Sequence, residues 1–258
     1  ASVQHKIAKA IMNLKCRPSN AALIGELGWL PIIEQLNINR VSYYKHILQM
    51  DNNRLCKVVY EELLNIHSSG KTSSFNYISK IKEILMDKGL DHMFNDAEKL
   101  HVPTYKQFAH CQYNDKFEED ISLHSSLLHY RMVKTNSGTS GYTQSKQSFK
   151  WIQLKLKMRC GVSGLGEDLS RQHRAPGTCN LCGKFETLKH FVFNCEAYSD
   201  ARQLMYNGIH DAYGPDIFNV FLSNQDFALY ALLGDHDDYF NKHFLDYLSK
   251  SWTLRNDY

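Results

Sequence analysis

The chain lacks any long apolar run, so no segment reads as a membrane-spanning helix. The opening does not read as a secretory leader. The opening ASVQHKIAKAIMNLK places Val3, Ile7, Ile11 and Leu14 at helical spacing, with Lys6, Lys9 and Lys15 off that stripe, the pattern of an amphipathic core helix. Absent too are a Ser-His-Asp spacing, a phosphate-cradling glycine loop and a dinucleotide fingerprint, which sets aside the chemistries those motifs carry. Strand-like alternation and hairpin signals are scarce, which excludes an all-β chain, and no internal repeat occurs. With no initiator Met and a start inside a helix, the sequence reads as a fragment of a longer polypeptide.

Seven cysteines are present, an odd number, and Cys16, Cys56, Cys111 and Cys160 stand alone. Solitary thiols suit a reducing compartment better than a disulfide framework, so a nuclear or cytoplasmic location is expected. At 258 residues the chain can bury one large core or two modest ones.

The first half reads as successive helices: a stripe of Leu30, Ile33, Val41, Tyr44 and Leu48 with Pro31 at the first turn, then Leu55, Val59, Leu63 and Ile66, then Ile78, Ile81 and Leu85 up to Gly89. Phe117, Ile121 and Leu128 predict a longer helix to about Lys134. TNSGTSGYTQSK (135–146) is rich in Ser, Thr and Gly, and predicts a flexible linker between a helical region 1–134 and a C-terminal region 147–258. After it, FKWIQLKLKMRCG fits a strand by its alternation and a helix by Phe149, Ile152 and Leu156; the helical surroundings favour the helix. Phe240, Phe244, Tyr247 and Leu248 mark a final helix. Trp29, among Leu27, Leu30 and Ile33, reads as core.

The densest chemistry lies in CNLCGKFETLKHFVFNC (179–195). Cys179, Cys182, His190 and Cys195 supply four ligands at a spacing suited to a tetrahedral structural zinc. Two cysteines separated by two residues chelate from one tight turn. Gly183 suits a left-handed backbone position, Thr187 can cap a following helix, and Leu188, Phe191 and Phe193 can pack underneath. Four protein ligands leave no place for an activated water, so the metal is expected to be structural. The expected fold is mostly α, a helical bundle followed by a small Cys-Cys-His-Cys knuckle with flanking helices. His210, His236 and His243 have no ligand-spaced neighbours.

Net charge is only +3, but it is segregated. From residue 146 to 189 nine lysines and arginines meet three acids, Glu167, Asp168 and Glu186, whereas from Glu196 onward ten acids meet four bases. Phosphate binding needs a localised cationic face. The candidate nucleic-acid contacts are Lys150, Lys155, Lys157, Arg159, Arg171, Arg174, Lys184 and Lys189, with Trp151, His173 and Phe185 available to stack on unpaired bases.

SNAALIGELGWLPI (19–32), the knuckle with its continuation HFVFNCEAYSDAR, and the tail LLGD…FLDYLSKSWTLRN together resemble the C-terminal region of non-LTR (LINE-like) retrotransposon reverse transcriptases. The resemblance touches almost the whole chain, and GELGWLP followed by the knuckle is its most specific part. It implies helical thumb or linker material, then a zinc knuckle at Cys179, Cys182, His190 and Cys195. It also implies a role in holding element RNA and target DNA during target-primed reverse transcription, beside other domains of a parent polyprotein. The polymerase centre of that family requires a Tyr-x-Asp-Asp turn, which this sequence lacks; Asp237-Asp238 follows Asp235, not Tyr, and lies beyond the knuckle. Asp216, Asp226, Asp235 and Lys242 could serve a nuclease by residue type only. No catalytic residue is assigned. A repurposed, zinc-stabilised interaction domain is the alternative from another class.

Overall fold

A computed structural model describes residues 2–14, 18–70, 77–235 and 237–256. Lys15, Cys16 and His236 lie outside these. The helices are α1 (Ser2–Ile11), α2 (Asn20–Glu26), α3 (Ile32–Leu48), α4 (Leu55–Ser68), α5 (Tyr77–Met86), α6 (Val102–Ser122), α7 (Leu128–Val133), α8 (Phe149–Arg159), α9 (Gly166–Arg171), α10 (Ser199–Ser223), α11 (Gln225–Leu233) and α12 (Asp238–Asn256). Among the described residues no strand forms, only an isolated antiparallel bridge between Thr178 and Phe185. The mostly helical expectation is met. No helix among these residues is long and apolar enough to cross a membrane.

The chain divides into two compact units, one spanning Leu30–Lys116 and the other Ser2–Trp29 with Phe117–Tyr258. This division differs from the sequence expectation of a boundary at 135–146. In the first unit α3, α4 and α5 enclose Val41, Tyr44, Tyr60, Ile78, Ile81 and Leu85. The Tyr44 hydroxyl meets that of Tyr60 at 3.3 Å and accepts the Asn95 amide at 3.0 Å, so its buried polar atom is satisfied. The α5 stripe faces the core as expected. On α4 the buried residue is Tyr60, while Leu55 and Val59 are exposed.

In the second unit α1 is rotated from its expected setting. Ala8, Met12 and Leu14 are buried, whereas Val3, Ile7 and Ile11 are exposed, and α1 packs against α2. Trp29 is half-buried. The helix expected from Phe117 to Lys134 is instead α6, a 3-10 turn and α7. Residues 149–159 are helical, and Phe244, Tyr247 and Leu248 of α12 are buried. Gly214, at φ 74°, breaks α10 just before Pro215, where a proline disfavours helical backbone in its predecessor.

This unit is built around buried charge. Glu26, at the end of α2, pairs with Arg159 of α8 at 2.8 Å, and both side chains are 0% exposed. Tyr142 donates its hydroxyl to Glu26, and its ring lies 4.9 Å from both the Lys155 ammonium and the Arg159 guanidinium. Arg159 also donates to the Leu233 carbonyl at 3.0 Å, and Lys155 to the Gly234 carbonyl at 2.6 Å. Gly25 makes room for this arrangement, since a Cβ there would lie 2.4 Å from the Phe117 ring. GELG therefore delivers a buried carboxylate on a closely packed helix end.

The segment 135–146, expected to be a flexible linker, folds into this unit. Ser140 and Tyr142 are buried, Ser140 N donates to the Glu26 carbonyl at 3.0 Å, and Gly141 N donates to Asp235 at 3.1 Å. Its polarity suits it to satisfying buried charges, which requires hydrogen bonds and not apolar bulk.

Removing one partner of a buried pair leaves an uncompensated charge, at a cost of about 3–5 kcal/mol. Glu26→Gln is expected to lower unfolding free energy by about that amount in denaturant titrations, and adding Arg159→Met should recover much of it. A loss below about 1 kcal/mol, the range of exposed pairs, would contradict the arrangement. Burial, with Arg159 nearby, holds the Lys155 amine well below its ordinary range. The unfolded chain then binds more protons between that lowered pKa and about 10.4, so this group's contribution to stability rises with pH across the interval. Lys155→Met is expected to flatten the stability profile on the alkaline side, below about pH 10; an identical profile in variant and wild type would refute this.

Candidate metal centre

The knuckle begins as a tight turn. Cys179 N donates to the Lys184 carbonyl at 2.7 Å and Gly183 N to the Cys179 carbonyl at 2.8 Å, closing a loop that turns both Cys179 and Cys182 toward one point. Gly183 sits at φ 73°, the left-handed conformation expected of it. The Thr178–Phe185 bridge closes the base of the loop.

The other two ligands come from the next segment. Thr187 Oγ1 accepts the His190 amide at 2.9 Å, the expected cap. Residues His190–Asn194 then form one π turn, and Cys195 N donates to the His190 carbonyl at 2.8 Å. An α-helix would carry residues five apart toward different sides; the wider π turn keeps His190 and Cys195 on the same side. The spacing of four residues between these ligands thus corresponds to one i→i+5 turn.

The four ligand atoms converge, all within 4.8 Å of one another. Cys179 Sγ lies 3.9 Å from Cys195 Sγ, and Cys182 Sγ lies 3.2 Å from His190 Nε2. Metal–sulfur bonds of about 2.3 Å imply tetrahedral S···S edges of about 3.8 Å, so the set has the size of a single four-coordinate ion. Among the described residues it is the one group of three or more possible ligands so gathered. Burial keeps the His190 imidazole below its ordinary pKa, favouring the neutral, ligating form. Burial also pushes the Cys195 thiol up to about 12, so a metal must displace a proton there. Cys182 is exposed, whereas Cys179, His190 and Cys195 are buried.

A second layer ties the knuckle to the helices. Arg202 of α10 donates to the Cys195 carbonyl at 2.7 Å and the Val192 carbonyl at 3.4 Å, satisfying the end of the π turn. Glu186, just past the base of the loop, is buried and takes two bonds of 2.9 Å from Arg255 of α12. Its Oε2 also accepts the Gly166 amide at 2.7 Å. Underneath, Phe191 packs edge-on against Tyr198, Tyr247 and Trp252 at 4.9, 5.6 and 5.7 Å. The sequence offered no signal for Glu186, Arg202 and Arg255 as supports, because their partners are distant in the chain.

The basic residues separate into groups. Lys155 and Arg159 are not surface contacts: both are fully buried and committed to the ionic core, which corrects their assignment to a nucleic-acid face. Arg171 is exposed but bonded to Asp168 at 3.0 Å, and Lys189 pairs with Asp226 at 2.7 Å. Lys150 is exposed with its ammonium 4.5 Å from the Trp151 ring, and Lys157 is half-buried. Arg174 and Lys184 are exposed beside the knuckle. The acids considered for a nuclease do not assemble: Asp216 is exposed, Asp226 pairs with Lys189, and Asp235 accepts the Gly141 amide. Asp237 caps α12 through bonds from Tyr239 N and Phe240 N. Comparison of the chain with family models, curated proteins and solved structures gives no match.

Metal analysis is expected to find one ion per chain. Cys182→Ser should release it and lower Tm by about 10 °C, equivalent to roughly 3–5 kcal/mol for a chain of this size. Full metal content with an unchanged melting curve would contradict the site.

Proposed function

We propose that the four ligands hold zinc, and that the chain is a nucleic-acid-binding C-terminal region of a non-LTR retrotransposon reverse transcriptase. Three cysteine sulfurs and an imidazole gathered within 4.8 Å of one another favour a zinc-type ion over hard oxygen-seeking cations. With every coordination position taken by protein, the ion's task is to fold the knuckle, and the knuckle's task is to present charge.

The observation that carries the binding role is the surface beside the ligands. From Leu169 to Phe185 the sequence holds no acid, while Arg171, His173, Arg174, Lys184 and Phe185 are all exposed. Glu186, the nearest downstream acid, is turned inward onto Arg255. An exposed cationic stretch held on a rigid turn is what phosphate neutralisation requires. Lys150 and Lys157 belong to the same reading as candidate contacts; Lys155 and Arg159 are removed from it by their burial. The partners are RNA or DNA of a target-primed reaction, with the polymerase centre in another part of the parent protein.

A protein-docking role for a repurposed domain is favoured by one other feature, the exposed stripe Val3, Ile7 and Ile11 on α1. Salt separates the two readings. Binding to nucleic acid is expected to weaken with a log–log slope of about 0.7 per neutralised phosphate on a single strand, or 0.9 on duplex. Arg174→Ala combined with Lys184→Ala should reduce that slope by about 1.4 on a single strand, while metal content stays unchanged. Absence of binding at low salt, or a slope untouched by both substitutions, would overturn the nucleic-acid reading.

A further inference from the structure

Phe185 is a large aromatic left 51% exposed at the base of the metal turn. Three features fix its ring in place. Its backbone forms the bridge with Thr178 that closes the metal turn. The following residue is anchored on both sides, Glu186 N donating to the Gly177 carbonyl at 2.8 Å and Glu167 N donating to the Glu186 carbonyl at 3.0 Å. The ring itself rests on the backbone of Gly177: a Cβ there would stand 2.4 Å from its Cε2 atom. Gly177 has φ 89°, so this position requires glycine both for its conformation and for the space the ring occupies. One side of the ring is thus seated, while about half of the residue remains open to solvent.

A half-exposed phenyl leaves apolar surface in contact with water. Exposed cationic and aromatic groups neighbour it along the chain: Lys184 directly precedes it, and His173 and Arg174 lie shortly before Gly177, on which its ring rests. His173 adopts φ 54°, a strained setting for a non-glycine residue, and so turns the chain sharply there. A seated ring with cationic residues near it in the chain, and with the adjoining Glu186 carboxylate turned inward onto Arg255, matches the stacking platforms that hold unpaired bases while flanking charges follow the phosphates. Bases in a duplex are already stacked on one another and offer no free face.

We infer that Phe185 stacks on an unpaired nucleobase, so that the knuckle binds single-stranded nucleic acid in preference to duplex. This rests on the nucleic-acid reading above and adds the form of the polymer and the residue that selects it.

The test is fluorescence anisotropy of the zinc-loaded full chain with a labelled single strand and with the duplex of the same sequence, at two salt concentrations. The single strand is expected to bind more tightly. Phe185→Ala should weaken single-strand binding by roughly 5- to 100-fold, the worth of one stacked base, and leave duplex binding, salt slope, metal content and Tm nearly unchanged. Phe185→Trp should restore the affinity and add tryptophan emission that the single strand quenches. Salt-sensitive binding that Phe185→Ala leaves intact, or weakens equally for both polymers, overturns the stacking inference alone. Failure of the wild-type chain to bind either polymer at low salt overturns the inference together with the reading beneath it.

Discussion

Convergence of Cys179, Cys182, His190 and Cys195 on one point is the constraint on which the C-terminal part of the fold depends. Residues 177–198 form a single bridge, one π turn and one 3-10 turn, too little regular structure to hold a shape by backbone hydrogen bonds alone. Four ligands within 4.8 Å supply the missing cross-link, because one ion joins the two halves of the segment at its centre. Around that centre the protein adds rigid supports. Arg202 secures the π turn, Arg255 secures Glu186, and Phe191 anchors the underside in an aromatic cluster from α12. A metal bound here would act on folding, and through folding on the surface that the turn displays.

That surface owes its character to where the charges go. The basic stretch of the sequence is divided between two tasks. Both Lys155 and Arg159 face inward: Glu26, Tyr142 and the Leu233 carbonyl absorb the Arg159 charge, and the Lys155 amine donates to the Gly234 carbonyl. Arg174 and Lys184 face outward on the knuckle, and the one carboxylate that follows them, Glu186, is withdrawn into a buried pair. Inward pairing of Glu186 leaves the rim positive although the net charge of the chain is small. The ionic core and the cationic rim are therefore linked outcomes of how a few carboxylates are placed.

Much of the metal site was legible in the sequence, because its ligands lie within one short segment and their spacing reflects local turn geometry. Gly183 and Thr187 were readable for the same reason. The helical class was legible from periodicity, and Ile78, Ile81 and Leu85 face inward as their spacing implies. What could not be read depends on partners far away in the chain. Lys155 and Arg159 alternate with Leu154, Leu156 and Met158 like an exposed basic face, and only distant partners show why they are buried: Glu26 on α2 for Arg159, and the Gly234 carbonyl with Asn241 for Lys155. The segment 135–146 resembled a linker because polarity usually signals solvent, yet its Ser140 and Tyr142 serve buried ions. On α1 the bulkier Val3, Ile7 and Ile11 outweighed Ala8 in any hydrophobic pattern, whereas the face that is buried carries Ala8 and Met12. Periodicity ranks side chains by hydrophobicity, and the first two of these cases were decided by complementarity of charge.

X-ray absorption at the metal edge of the purified chain tests the central claim most directly. The account predicts zinc with three sulfur neighbours at about 2.3 Å and one nitrogen neighbour at about 2.0 Å, with no light-atom scatterer left over for water. A spectrum dominated by oxygen or nitrogen, or one with fewer than three sulfurs in the fully folded protein, would contradict it.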